Sequence, residues 1–142
     1  PDFTGVDNFT YEVTDGAGPT ATATVAVNVE PTVAPARTVD LVVQMSATTR
    51  KINKINYVWA TAKVKVVEAG AQVADATVTG HWEDATTGLN YGNTGKSGTV
   101  SFTSEKLIQS TEQQTFTFVV DSVVIGDVNY TLNGQTTNSI MK

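Results

Sequence analysis

The chain has 142 residues, a net charge of −5 at pH 7 and no cysteine. The lack of cysteine excludes disulfides, cysteine nucleophiles and thiolate metal sites. An acidic chain is repelled by a phosphate backbone, so we expect no nucleic-acid partner. The densest basic group, Arg50, Lys51 and Lys54, is expected to lie in a solvated loop. No apolar run approaches the ~20 residues of a membrane-spanning helix, so we expect no membrane span.

The first 30 residues predict a β-hairpin. Phe9, Tyr11 and Val13 alternate with polar residues, which is typical of a strand. The segment 15–19 contains glycine and proline and predicts a turn. Alternating apolar residues over 21–29 predict a second strand. A lone hairpin is marginally stable, so this segment is expected to need a partner sheet.

This hairpin carries a first resemblance. FTGVDNFTYEVTDGAG followed by TATVAVNV resembles the C-terminal half of a bacterial cadherin-like or Ig-like tandem repeat. The resemblance implies an extracellular or cell-surface location and a repeat whose earlier strands are missing here. The chain is therefore expected to be a piece of a larger protein, with dimerisation or domain swapping through the hairpin as a further possibility.

Calcium is an open alternative, because cadherin-like repeats bind it between neighbours. Asp7, Asp15 and Glu30 are the carboxylates available in this segment. Calcium needs six to eight clustered oxygen ligands, and the spacing of these residues is not that of an EF-hand loop. The alternative is that Asp15 simply forms the turn. The prediction is no cofactor and no metal.

A Pro-containing linker is predicted over 31–38, and a sandwich over 39–142. The densest alternation lies in Tyr57–Trp82, which predicts a central hairpin of two strands around Gly70. The other predicted elements are a strand ending near Ala47, a polar loop over 48–56, a short strand over 89–91, strands over 99–103 and 115–124, one helical turn over 104–108 and a closing strand over 139–141. About seven strands at this spacing predict an all-β, Ig-like antiparallel β-sandwich.

The second segment carries a second resemblance. WATAKVKV over 59–66 and AxVxGxW over 76–82 are similar to an accessory Ig-like or fibronectin-III-like domain at the C-terminus of secreted bacterial hydrolases. The resemblance implies a non-catalytic spacer, stability or surface-attachment module whose partners are other domains of the same polypeptide. The parent protein would then be the hydrolase, while the module is not an enzyme.

The residues themselves also argue against catalysis. His81 is the only histidine, and no Gly-x-Ser-x-Gly elbow accompanies it, so we interpret it as a surface histidine on a strand. Glu83 and Asp84 are adjacent at a turn and are expected to point apart. The sequence contains no phosphate-binding loop and no dinucleotide fingerprint. We therefore predict no catalytic residues.

Aromatic side chains are the candidates for binding. Trp82, Tyr91, Trp59 and Tyr57 could stack on the sugar rings of a polysaccharide or other cell-surface material, with Trp82 as the best platform. The alternative is that both tryptophans pack in the core. Two further hypotheses are homophilic adhesion and an isopeptide bond joining Asn138 to one of the lysines at 63 and 65.

Overall fold

The computed structural model describes residues 4–30 and 36–142. The chain divides into two compact units, Pro1–Pro35 and Ala36–Lys142. Most of the predicted linker lies outside the described residues. Its last residue, Thr38, already belongs to a strand.

The first unit is a two-stranded antiparallel hairpin of β1 (Gly5–Val13) and β2 (Ala21–Val29). A hydrogen bond within the turn stabilises it: Asp15 Oδ1 accepts from Ala17 N at 2.9 Å. Phe9 and Tyr11 are about half exposed, so the hairpin has no core of its own within the described residues. The predicted hairpin is confirmed, and so is the role of Asp15 in the turn.

The second unit is a sandwich of two sheets containing eleven strands, several of them short. The strands are β3 (Thr38–Ile52), β4 (Ile55–Glu68), β5 (Ala71–Gln72), β6 (Thr77–Asp84), β7 (Gly88–Asn93), β8 (Thr99–Thr103), β9 (Leu107–Ile108), β10 (Thr115–Ile125), β11 (Val128–Asn129), β12 (Thr131–Gly134) and β13 (Thr137–Met141).

The first sheet, here the β4 sheet, has the order β12-β3-β4, and β5, β8 and β9 also pair with β4. The second, the β10 sheet, has the order β11-β10-β6-β7, and β13 also pairs with β10. The prediction of an all-β, Ig-like sandwich is confirmed. The prediction that it is wholly antiparallel is wrong in one place, because β12 runs parallel to β3.

The core lies between the two sheets and follows the predicted period of two. In β4 the side chains of 58, 60, 62, 64 and 66 are all buried. Facing them, Phe118 of β10 packs edge-on against Trp82 of β6, with ring centroids 4.9 Å apart. Phe102 of β8 stacks on Phe118, with centroids 5.0 Å apart. These three rings connect the two sheets.

The predicted central hairpin is wrong, because β4 and β6 lie in different sheets. β4 pairs instead with β3 over thirteen registered positions, from Asp40↔Val67 to Ile52↔Ile55. The predicted polar loop over 48–56 is the far end of this long hairpin. Its residues are exposed on both faces, so the apolar alternation that marks a half-buried strand is lost there.

The predicted helical turn over 104–108 is also wrong. Leu107 and Ile108 form β9 and pair with Val58 and Tyr57 of β4. The Ser104 hydroxyl, expected to cap the helix, accepts a hydrogen bond from Ala60 N at 2.9 Å. Pairing with a neighbouring strand therefore outweighs a weak local helix signal.

The tight turn between β3 and β4 gives a first stability prediction. Asn53 and Lys54 both have positive φ, 49° and 69°. A two-residue hairpin turn of this kind favours Asn-Gly, and lysine is strained at the second position. Lys54→Gly is therefore expected to raise the free energy of unfolding by about 0.5–1 kcal/mol, measured by urea denaturation. The control is Asn56→Gly within β4, which should lower the free energy of unfolding. A loss of stability in Lys54→Gly would contradict the turn geometry.

Candidate functional site

Trp82 is a core residue and not an exposed platform. Only 2% of its surface is exposed. The indole Nε1 donates a hydrogen bond to Asn90 Oδ1 at 2.9 Å, which satisfies its polar atom. The prediction that Trp82 presents a stacking face is wrong, because its ring lies against Phe118 between the sheets. For this residue the alternative of core packing is confirmed.

The other three aromatic candidates lie on two different sheets. Trp59 and Tyr57 are half-buried on the outward face of β4, and the Lys106 ammonium lies 5.1 Å from the centre of the Trp59 ring. Tyr91 is on β7 of the β10 sheet and is 80% exposed. The structure therefore does not bring the four predicted aromatics together. Ligand roles for Tyr57, Trp59 and Tyr91 stay predictions.

The most organised polar cluster in the β10 sheet surrounds His81. Its Nδ1 lies 2.8 and 2.9 Å from the two carboxylate oxygens of Asp121 on β10. Its Nε2 lies 3.1 Å from Glu83 Oε1 on the same strand. The His81 side chain is 34% exposed. The sequence could not indicate this cluster, because Asp121 lies 40 residues away and meets His81 only through the pairing of β6 with β10.

The two carboxylates favour a charged imidazolium. Hydrogen bonds to Asp121 and then to Glu83 raise the pKa of His81 above its ordinary value of 6.5, against a smaller opposing effect of burial. In the charged form both ring nitrogens donate, one to Asp121 and the other to Glu83. Within the described residues no hydroxyl is hydrogen-bonded to the ring. The arrangement joins two strands and does not activate a nucleophile.

This cluster predicts a measurable pH dependence. Because the pKa is raised on folding, the stabilisation is complete below about pH 6.5 and is lost as pH rises through the folded value. The side chains of His81, Asp121 and Glu83 are all partly exposed, so solvent weakens their interaction. The resulting loss in the free energy of unfolding is expected to be below about 1 kcal/mol. NMR titration should place the His81 pKa above 6.5, and Asp121→Asn should lower it more than Glu83→Gln does. Equal pKa values in the wild type and Asp121→Asn would contradict the geometry.

The remaining predicted candidates are placed as follows. Asp84 is directed to the Thr117 hydroxyl, whereas Glu83 is directed to His81, so the two adjacent acids do point apart. Lys63 is exposed, and the Asn138 amide donates to Val43 O at 2.7 Å. The isopeptide hypothesis requires neighbouring strands, but Asn138 lies on β13 of the β10 sheet, whereas the two lysines lie on β4 of the other sheet.

Across residues 4–30 and 36–142, no group of three or more histidine, aspartate or glutamate side chains is suited to hold a metal ion. In the same part of the chain, no helix has the length and apolarity needed to cross a bilayer.

Comparison with known families adds one finding. Residues 1–28 match the family described as a bacterial Ig domain, which is 28 of the 142 residues. The match spans β1, its turn and nearly all of β2, and together with the all-β sandwich it supports an Ig-like identity. Bacterial Ig domains are typically non-catalytic and commonly extracellular or surface-exposed. No curated protein and no solved structure shows significant similarity to the chain.

The match does not decide the finer resemblances. It concerns an Ig family, so the cadherin-like alternative for the hairpin stays a prediction. It ends before the sandwich, so a fibronectin-III-like relationship of residues 39–142 also stays a prediction.

Proposed function

We propose that the chain is a non-catalytic spacer module of a larger extracellular bacterial protein. Two observations support this role: the bacterial Ig match over residues 1–28, and an Ig-like sandwich in the following unit. The one histidine is hydrogen-bonded to two carboxylates and, among the described residues, to no hydroxyl, so it is not paired with a nucleophile.

The spacer role is supported mainly by the parallel pairing of β3 with β12. These are the first strand of the sandwich unit and one of its last. Thr131 N donates to Arg37 O at one end of the pair, and Gln135 N donates to Leu41 O at the other, each at 2.9 Å. Tension at the C-terminus first loads β13, which follows β12 and pairs with β10, and reaches the β3–β12 pair through it. It then pulls the two parallel neighbours in opposite directions. The hydrogen bonds are then loaded together and not one after another, which suits a spacer under tension.

Single-molecule force measurement on the full chain, tethered at both ends, tests this role. Gly134 has φ +78°, and an added Cβ would lie 2.7 Å from Leu41 O. Gly134→Ala is therefore expected to displace β12 from β3 and to lower the unfolding force of the sandwich. Gly126→Ala is the matched control, because Gly126 also has positive φ, +61°, but no atom within 4 Å of an added Cβ.

The outcomes separate clearly. The proposal predicts that Gly134→Ala unfolds at a lower force than both the wild type and Gly126→Ala. Equal forces in the two variants would mean that the parallel pair does not resist tension, and the spacer role would lose its main support.

A second candidate function is glycan binding on the β10 sheet. The observation in its favour is the exposure of Tyr91, accompanied by the 68% exposed Leu89 on the same strand. With Trp82 in the core, Tyr91 would be the main stacking group. A glycan array should then show binding that is lost in Tyr91→Ala while the fold is retained. No binding by the wild type would reject this candidate.

A further inference from the structure

The outward face of the β4 sheet carries two rows of registered side chains, each centred on a lysine. Lys63 of β4 lies between Gln44 of β3 and Ser101 of β8. Two residues along the strand, Lys65 lies between Val42 and Thr99. Because side chains alternate across a strand, these rows share the face opposite to the core. We call this surface the basic face. It comprises the outward side chains of these two rows and those that follow along β3 and β4 as far as Arg50 and Tyr57.

Two clefts open on the basic face, with volumes of about 650 and 320 Å³. They share Val42, Gln44 and Lys63, so they form neighbouring parts of one surface. The larger cleft extends to Gln135 and Asn138. The smaller one extends to other residues of the same polar kind, namely Lys65, Gln72, Ser97 and Thr99.

The charged side chains that line the two clefts are both basic, Lys63 and Lys65. Amides, hydroxyls and two lysines line the clefts together with the apolar side chains of Val42, Val43 and Met45. No described carboxylate lines them, although the chain has 14 acidic and 9 basic residues. None of the ion pairs within the described residues includes Lys63 or Lys65. Two ammonium groups among neutral hydrogen-bonding groups favour a ligand that carries both carboxylates and hydroxyls.

The basic face is also long. Lys65 and Tyr57 are eight residues apart on β4, which corresponds to ~27 Å at the rise of a strand. Beyond Lys63 the same face continues through Trp59, against which Lys106 lies, to the registered pair Arg50↔Tyr57. A track of separated positive charges and aromatic rings suits an extended polymer better than a small anion.

We propose that the basic face binds an acidic polysaccharide of the polyuronate class. Lys63 and Lys65 pair with uronate carboxylates, while Gln44 and the neighbouring amides and hydroxyls hydrogen-bond the sugar hydroxyls. A polyuronate has hydroxyl-bearing rings between its charges, whereas a nucleic acid is more densely charged and is opposed by the net charge of −5. This proposal does not depend on the spacer role, because a spacer can also hold a wall or matrix polymer on an outer face.

The test measures binding of the full chain to oligogalacturonate by calorimetry at low ionic strength. Lys63→Gln/Lys65→Gln is compared with Lys51→Gln/Lys54→Gln, which removes the same charge at the tip of the β3–β4 hairpin. We expect the first variant to bind at least about tenfold more weakly and the second to bind as the wild type does. Methyl-esterified oligogalacturonate lacks the carboxylate charge, so neither the wild type nor the two double variants should bind it.

Three results would overturn the proposal. The first is no binding by the wild type. The second is an equal loss in the two double variants, which would reflect net charge alone. The third is equally tight binding of a single-stranded oligonucleotide, which would mean that the face attracts any polyanion. Circular dichroism of both double variants checks that the fold is intact. Because the spacer role is tested separately, by the unfolding force of Gly134→Ala, failure of one proposal does not imply failure of the other.

Discussion

Phe118→Ala is expected to lower the free energy of unfolding by about 3–5 kcal/mol, which is much of the stability of an ordinary domain. Phe118 is fully buried and contacts Trp82 and Phe102 at ring-centroid distances of 4.9 and 5.0 Å. Removing its ring leaves a cavity where the two sheets meet, and rigid strands cannot collapse into it. Urea denaturation followed by circular dichroism measures the loss.

Tyr91→Ala is the matched control for this truncation. It also removes an aromatic ring, but from a side chain that is 80% exposed, so the change should stay within about 0.5 kcal/mol. If Phe118→Ala costs no more than Tyr91→Ala, the three rings do not form the centre of the core.

Gly80→Ala is expected to destabilise the sandwich by about 1–3 kcal/mol or more, although it adds a single methyl group. Gly80 lies on the inward face of β6, and an added Cβ would lie 2.5 Å from Val119 O and 2.7 Å from Phe118 Cζ. One of these atoms belongs to the backbone of the paired strand β10, so relief requires the strands to move apart. The thermal midpoint of unfolding is the measurement.

Gly95→Ala provides the control for adding a methyl group. The nearest atom to a Cβ at Gly95 is Thr99 O, at 4.0 Å, and the backbone there has no positive φ. Its midpoint should match that of the wild type. A Gly80→Ala protein that is equally stable would show that β6 and β10 are not as closely paired as described.

Much of the fold could be predicted from alternation. Wherever one face of a strand is buried, as in Val58–Val66 or Phe116–Val120, the sequence shows a period of two and the strand is found. Pairing could not be predicted in this way, because it depends on contacts distant in sequence. β4 meets β8 and β3 and not the next long strand, β6. The far end of the β3–β4 hairpin has no buried face and therefore gives no signal at all.

The candidate sites show the same limit. Aromatic type and a glycine-rich neighbourhood suggested Trp82 as a platform, but burial is set by the sheet to which its strand belongs. The cluster of His81 with Asp121 and the rows through Lys63 both arise from register between strands. The sequence indicates Tyr91 as a candidate, whereas its separation from Trp59 depends on topology.

Residues 36–142 form two packed sheets with Trp82 between them, so we expect any ligand to bind on the outward faces. Tryptophan fluorescence of the Trp59→Phe variant, in which Trp82 is the single tryptophan, tests this most directly. We predict blue-shifted emission that iodide does not quench and that urea shifts to the red on unfolding. Emission near that of free tryptophan, readily quenched by iodide in the folded protein, would contradict the arrangement of the two sheets.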